Sequence, residues 1–268
     1  MKSNASYAVN DLINALKEIK IWSFIATKQI QIENRRNFLG VAWLVISFAV
    51  PTTGIGWLLA KLQGLPLNEH IPHVAFGFVA WNFISSCLTE GCHIFYRNRS
   101  MLLQAPMTRS GFVLSLVFKK LYLLLFQLTT ACAIAAVFGW RPNPMNLFFL
   151  ISILIYFFTA VGTVLVVSII SARMRDFSET IASIVRLSFF FTPIIWSTQS
   201  RSISQSSVLE QVAELNPLTY YVDLLRNPAM GSLPDALTFA ITLGIATLLF
   251  ALGLLLLQRN GRKIAFYI

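Results

Sequence analysis

Residues 188–226 read SFFFTPIIWSTQSRSISQSSVLEQVAELNPLTYYVDLLR, and the architecture follows from how this stretch is divided. An apolar run over 181–196 contains Pro193 and gives way to Ser- and Gln-rich residues. Asn216-Pro217 then supplies a side chain suited to a helix N-cap and a ring suited to the first turn. The spacing predicts a short second helix there. Leu218, Tyr221, Val222 and Leu225 recur at helical spacing, and Asp223 and Arg226 stand one turn apart, so this helix is expected to lie in an interface and not to span it. The pair forms a re-entrant lid at one membrane surface.

Composition fixes the class around that lid. Of 268 residues, 56% are hydrophobic and 12% charged, against about 25% charged in soluble domains; mean hydropathy is +0.68. The apolar segments are long runs rather than alternating ten-residue strands, so the chain is expected to be an all-α membrane protein. Six spans are predicted, near 38–60, 73–95, 112–138, 146–171, 181–196 and 236–257, most close to the ~20 residues a bilayer requires. The lid falls between the fifth and sixth.

Residues 1–37 form a separate segment, and 38–268 the transmembrane domain. Val9, Leu12, Ile13, Leu16, Ile19 and Trp22 make a stripe at helical spacing, with Lys17, Glu18 and Lys20 largely outside it. That pattern is an amphipathic helix, laid on the membrane surface or packed on a partner. No apolar region with a small-residue cleavage site precedes residue 38, so no cleaved signal peptide is expected.

The net charge of +10 raises the question of nucleic acid, and the positions of the cations answer it. Seventeen of the 21 Lys and Arg residues fall on the side that carries both termini; Lys61, Arg141, Arg201 and Arg226 fall on the other. The positive-inside rule therefore puts both termini in the cytoplasm and the lid outside. A basic excess spread over every cytoplasmic turn is what orientation requires, and no nucleic-acid partner is expected.

Catalytic signatures are missing from the sequence. There is no GxxxxGK[ST] phosphate loop, HExxH, CxxC or GxSxG. His70, His73 and His93 are expected to be solvated or interfacial, and Cys87, Cys92 and Cys132 to be reduced thiols in apolar segments, so no metal site is predicted. Glu90 is the only carboxylate within a predicted span and is assigned to capping or to pairing with Arg97. Lys119, Lys120 and Arg186 lie inside the cytoplasmic boundary; their stems either snorkel to the headgroups or meet an anionic headgroup such as a phosphate.

Two stretches read as surfaces for other molecules. The turn 96–109, YRNRSMLLQAPMTR, mixes Tyr96, Arg97, Arg99 and Arg109 with apolar Met101, Leu102 and Leu103, and Pro106 ends any helix within it. It is either a docking surface or a face buried against the amphipathic helix. Phe189, Phe190, Trp196, Tyr220 and Tyr221 crowd the lid, as lipid-facing and core packing or as the wall of a conduit along which sugars slide.

Three patterns then coincide: NRRNFLGVAWLVISF at 34–48, SARMRDF at 171–177, and TPIIW at 192–196 followed by NPLTYYVDLLR at 216–226. With the predicted spans and no ATP site, the chain resembles the membrane subunits of type-two ABC exporters, most closely the O-antigen polysaccharide permeases of the Wzm branch. The resemblance implies a homodimeric conduit in the bacterial inner membrane, with two copies of a separate cytoplasmic ATPase subunit, Wzt-like in that branch. It implies a non-enzymatic chain without cofactor, ATP and Mg being bound by the partner, and a polysaccharide on undecaprenyl pyrophosphate as cargo for lipopolysaccharide synthesis. By position, 96–109 corresponds to the family's coupling helix, 8–30 to its interface helix and 197–226 to its gate. Capsule and teichoic acid exporters share this plan. The competing class is a channel or flippase that works without ATP.

Overall fold

The computed structural model describes residues 6–35, 39–40, 42–104, 107–174, 176–196 and 207–267, and among these there are helices and no strands. In chain order they are α1 (Ser6–Lys17), α2 (Ile19–Asn34), α3 (Ala42–Gln63), α4 (Leu67–Gly91), α5 (Ile94–Arg97), α6 (Arg99–Gln104) and α7 (Arg109–Val137). A 3₁₀ turn at Pro144–Phe148 leads into α8 (Phe149–Arg173), followed by α9 (Phe177–Phe191), α10 (Ser207–Leu215), α11 (Pro217–Met230) and α12 (Ala236–Asn260). A second 3₁₀ turn, Gly261–Lys263, ends in α13 (Ile264–Tyr267).

Five helical segments are long and apolar enough to cross a membrane: α3, α4, α7, α8 with its leading turn, and α12 with its trailing turns. The remaining expected span, the fifth at 181–196, is shorter than its hydropathy implies. α9 has 15 residues, about 22 Å at 1.5 Å per residue, whereas the hydrocarbon core is about 30 Å thick. Thr192 turns its hydroxyl back to Ser188 O (2.7 Å), and Pro193 cannot donate to continue the helix. Residues 192–196 then bend into the bundle, where Ile194 is fully buried. The Ser/Gln-rich segment 197–206 lies outside the described residues, as do Arg36, Pro106 and Arg175 of the quoted patterns.

α4 and α8 form the centre of the bundle, buried on most of their surfaces. α8 and α12 approach through two glycines. A Cβ on Gly162 would lie 2.6 Å from Phe250 N, and one on Gly253 would lie 2.8 Å from Leu165 Cβ. Small residues that let backbones touch are the usual source of helix attraction in lipid, where apolar burial supplies little. α3 buries one stripe only, Phe48, Thr52, Gly56 and Ala60, and leaves Trp43, Val50, Trp57 and Leu62 exposed.

The Asn216-Pro217 signature starts α11 as expected, with Asn216 Oδ1 accepting from Leu218 N at 3.0 Å. The helix packs on the bundle. Its apolar side faces into the bundle because polar side chains from α8 and the preceding loop bond its carbonyls: Ser152 Oγ donates to Leu224 O, Tyr156 Oη to Tyr221 O and Trp140 Nε1 to Ala229 O, each at 2.6 Å. The chain leaves α11 through Gly231, at φ 88°, a left-handed cap that glycine adopts without a Cβ penalty.

The N-terminal amphipathic helix is present as α1 and α2, and its expected stripe divides: most of it points outward, Leu12 is half-buried and Trp22 is buried. Val9, Ile13, Leu16 and Ile19 are exposed, while Ala8, Asp11, Ala15 and Trp22 pack on the bundle. Asp11 is the fastening. Its carboxylate accepts from the backbone N–H of Arg109 (3.2 Å) and of Ser110 (2.8 Å), the open amides at the head of α7, where the helix dipole favours negative charge.

Candidate functional site

α4, α7 and α9 enclose a cleft of about 660 Å³. Helical spacing fills it: Trp81, Asn82, Ser85, Ser86 and Thr89 share one face of α4; Lys120, Leu123, Leu124 and Gln127 come from α7; Val185, Arg186, Phe189 and Phe190 come from α9. The rings interlock, with Trp81 and Phe189 edge to face at 5.6 Å and Phe189 and Phe190 at 5.6 Å. Such pairs hold one another at fixed angles and present rigid apolar faces.

The polar residues beside these rings have a definite hydrogen-bonding sense. Ser85, Ser86 and Thr89 each donate their hydroxyl proton to a carbonyl of their own helix, Asn82 O (3.3 Å), Phe83 O (3.0 Å) and Ser85 O (2.8 Å). Their oxygen lone pairs are left to accept. The amides of Asn82 and Gln127 have no hydrogen-bond partner among the described residues and offer both donors and acceptors. Arg186 adds a guanidinium bonded only to Ser183 Oγ (3.2 Å). A guest with many hydroxyls and apolar C–H faces fits this lining, in which donors, acceptors and ring faces lie side by side.

Charge is concentrated at one end of the cleft. Lys119 and Lys120 are buried, and neither snorkels. Lys120 Nζ bonds the Glu90 carboxylate, while Lys119 Nζ lies 2.7 Å from Glu33 on α2 and 3.5 Å from Glu90. Glu90 reaches Arg97 at 3.4 Å as expected, but it is mainly the partner of the two lysines. Of the three cations assigned to a headgroup phosphate, Arg186 has no carboxylate partner among the described residues.

The remaining lid aromatics do not join this cleft. Tyr221 is 3% exposed; its hydroxyl bonds Thr242 O (3.0 Å) and Thr159 Oγ1 (3.1 Å), and it lines a separate cavity of about 170 Å³ beside Tyr156. Tyr220 donates to Glu214 O (2.8 Å) on the other side of the Asn216 cap. Trp196 donates from Nε1 to Phe190 O (3.4 Å) at the bend after α9. Of His70 and His73, expected to be solvated or interfacial, His70 is buried and His73 is half-buried, with its Nε2 held 3.0 Å from Arg226 Nη1. Trp81, Asn82 and Gln127 were missed by sequence reasoning. The available signal was the set of hydroxyl and amide residues at 82, 85, 86 and 89, one helical face of an otherwise apolar segment.

The 96–109 stretch divides by side. Leu102 is 5% exposed and belongs to the core, which corrects its assignment as a docking residue; Met101 and Leu103 are 38% and 53% exposed. A helix of 6 residues packed on one side must turn adjacent leucines in different directions. Tyr96 Oη donates to Ala172 O (3.4 Å), Arg97 pairs with Glu90, Arg99 is exposed, and Arg109 Nη1 donates to Met107 O (3.3 Å). Leu103→Asp is therefore expected to leave the thermal unfolding of the purified chain unchanged within about 0.5 kcal/mol, as exposed substitutions do, whereas Leu102→Asp buries a charge and prevents folding. Equal effects of the two would reject this division.

Comparison with known proteins follows the same geometry. Residues 22–230, from Trp22 through the end of α11, match the family described as ABC-2 type transporter. The O-antigen export system permease protein RfbA of Myxococcus xanthus is similar, 20% identical over 198 residues, which cover 72% of this chain and 74% of that protein.

Proposed function

Since the chain belongs to the ABC-2 type transporter family, we propose that it is the membrane-spanning subunit of an ATP-driven exporter of undecaprenyl-pyrophosphate-linked O-antigen polysaccharide. Two copies form the conduit in the bacterial inner membrane, and each engages a cytoplasmic ATPase subunit that binds ATP and Mg. Both termini face the cytoplasm. α9 together with the bend at 192–196 serves as the sixth crossing, and residues 1–37 lie along the inner surface.

The observation that carries this reading is the α4–α7–α9 cleft. Edge-to-face rings of Trp81 and Phe189 adjoin hydroxyl lone pairs and unpaired amides, a surface that accommodates pyranose C–H faces and hydroxyls together. Arg186 stands where a sugar phosphate would enter. The name carried by the Myxococcus relative points the same way. Coupling falls to Met101 and Leu103, whose exposed side chains give an ATPase a surface to push. The push acts only if the partner binds two permease conformations unequally, because a ligand indifferent to both shifts neither.

Inverted membrane vesicles containing the chain and its ATPase test the assignment. Phe189→Ala is expected to lower ATP-dependent uptake of lipid-linked glycan about tenfold, the loss of ring stacking worth ~1.5 kcal/mol, while ATPase binding stays intact. Leu103→Asp should abolish stimulation of the ATPase. Glycan uptake that is equal with and without nucleotide would mark an ATP-independent channel and remove the reading.

A further inference from the structure

A second cleft opens where α1 meets the end of α12. It has a volume of about 580 Å³ and is bounded by Tyr7, Leu255, Gln258, Arg259, Arg262 and Lys263. The approach depends on Gly261, where a Cβ would stand 2.6 Å from a ring carbon of Tyr7. With no side chain there, the Tyr7 ring settles against the turn, and the Arg262 guanidinium stacks over it at 5.1 Å.

Three cations line this cleft without a carboxylate partner among the described residues. Three acids elsewhere at this end of the bundle are engaged: Asp11 caps α7, and Glu33 and Glu90 hold the lysines. The Tyr7 hydroxyl is buried and has no hydrogen-bond partner among the described residues. Burial, and after it the nearby Asp11 charge, raises its pKa, with Arg109 and Arg262 opposing, so at neutral pH it is a protonated donor. An orphaned O–H donor beside three unpaired cations is complementary to an oxyanion with several acceptor oxygens. The mouth of the cleft is apolar. Leu255 is 58% exposed, and Val9, Ile13 and Leu16 of α1 are exposed on the adjoining helix.

We infer that this cleft is a binding site for the phosphate headgroup of an anionic phospholipid, whose acyl chains run along the Leu255 face of α12. The cations supply affinity, Tyr7 supplies a directed hydrogen bond, and the apolar mouth selects a lipid over a soluble phosphate. Occupancy would hold the first turn of α1 and the last of α12 to one leaflet. The inference does not depend on what the chain exports.

Native mass spectrometry of the purified full-length chain, titrated with phosphatidylglycerol or phosphatidylcholine, tests it. Wild type is expected to retain phosphatidylglycerol at least tenfold better than phosphatidylcholine. Each charge removed should weaken retention roughly fivefold, so Arg259→Gln/Arg262→Gln/Lys263→Gln together lose about a hundredfold, and Tyr7→Phe loses severalfold. Lys263→Gln alone keeps the Arg262–Tyr7 contact and should still show the fivefold loss if the triple variant folds poorly. Lys17→Gln/Lys20→Gln, on the same side of the molecule but outside the cleft, should change nothing. Undiminished retention by Lys263→Gln and Tyr7→Phe, equal retention of phosphatidylcholine, or displacement of the lipid by equimolar inorganic phosphate would overturn the site.

Discussion

Glu90→Gln is expected to destabilise the folded chain by about 3 kcal/mol, the cost of leaving buried charges without their counter-ion. Lys119 and Lys120 each have a side chain 4% exposed, and Glu90, at 28%, is the one carboxylate that meets both. Removing its charge leaves Lys120 with no anion, while Lys119 keeps only Glu33 on α2. The loss concerns burial, so a compensating change should repair it. Glu90→Gln/Lys120→Met is expected to recover most of the lost stability, since an apolar pair is often as stable as a buried ion pair. Unfolding of the purified chain, followed as single variants and as a double-variant cycle, measures this. Additive losses in the double variant, or a single-variant loss below about 0.5 kcal/mol, would show that the network is not coupled.

Gly111→Ala is expected to have a comparable effect by steric means alone. A Cβ at that position would stand 2.0 Å from Cζ2 of Trp22 and 2.2 Å from Cε2. No relaxation of a few tenths of an ångström accommodates such an overlap, so Trp22 must leave. The indole is 1% exposed and tilts against Phe112 at 5.5 Å, and expelling it should cost about 3–5 kcal/mol, the range for losing a large buried aromatic. Because Trp22 holds α2 on α7, the loss should appear as proteolysis within α2 while the spans stay protected. Gly111→Ala/Trp22→Leu makes room and should restore much of the protection. Wild-type resistance in Gly111→Ala would refute the account.

Much of the bundle is legible in the sequence because hydropathy reports the solvent, and lipid leaves a strong signature. The spans α3, α4, α7, α8 and α12 stand within a few residues of their expected places, and Asn216-Pro217 announces α11 by local hydrogen bonding. What the sequence hides depends on which neighbour a side chain meets. Tyr221 and Phe189 are both aromatic at helical spacing near the lid; one is fixed in the core by Thr242 and Thr159, the other lines a cleft. Leu102 and Leu103 are identical in kind and opposite in exposure.

The amphipathic helix shows a deeper reason. In water its apolar stripe would be the packed side, yet here only Trp22 of that stripe is buried, Ala8, Asp11 and Ala15 face the bundle, and Val9, Ile13 and Leu16 face out. Where lipid is the surroundings, apolar residues need no partner, and close contact goes to small or hydrogen-bonding ones. The end of α9 was hidden differently. Ile194, Ile195 and Trp196 extend the apolar run past the residue where hydrogen bonding stops it, and hydropathy counts them as helix.

Asp11 grips two amides at the front of α7, directly after the 96–109 stretch. α1 is therefore tethered to that helix by one side chain, and neither slides past the other without parting both bonds. A stroke that tilts α7 tows α1 along, and with it the oily residues turned away from the protein. Under the proposed placement of α1 along the membrane surface, the mechanical load on the moving part includes lipid, so bilayer stiffness is expected to set part of the cycle rate.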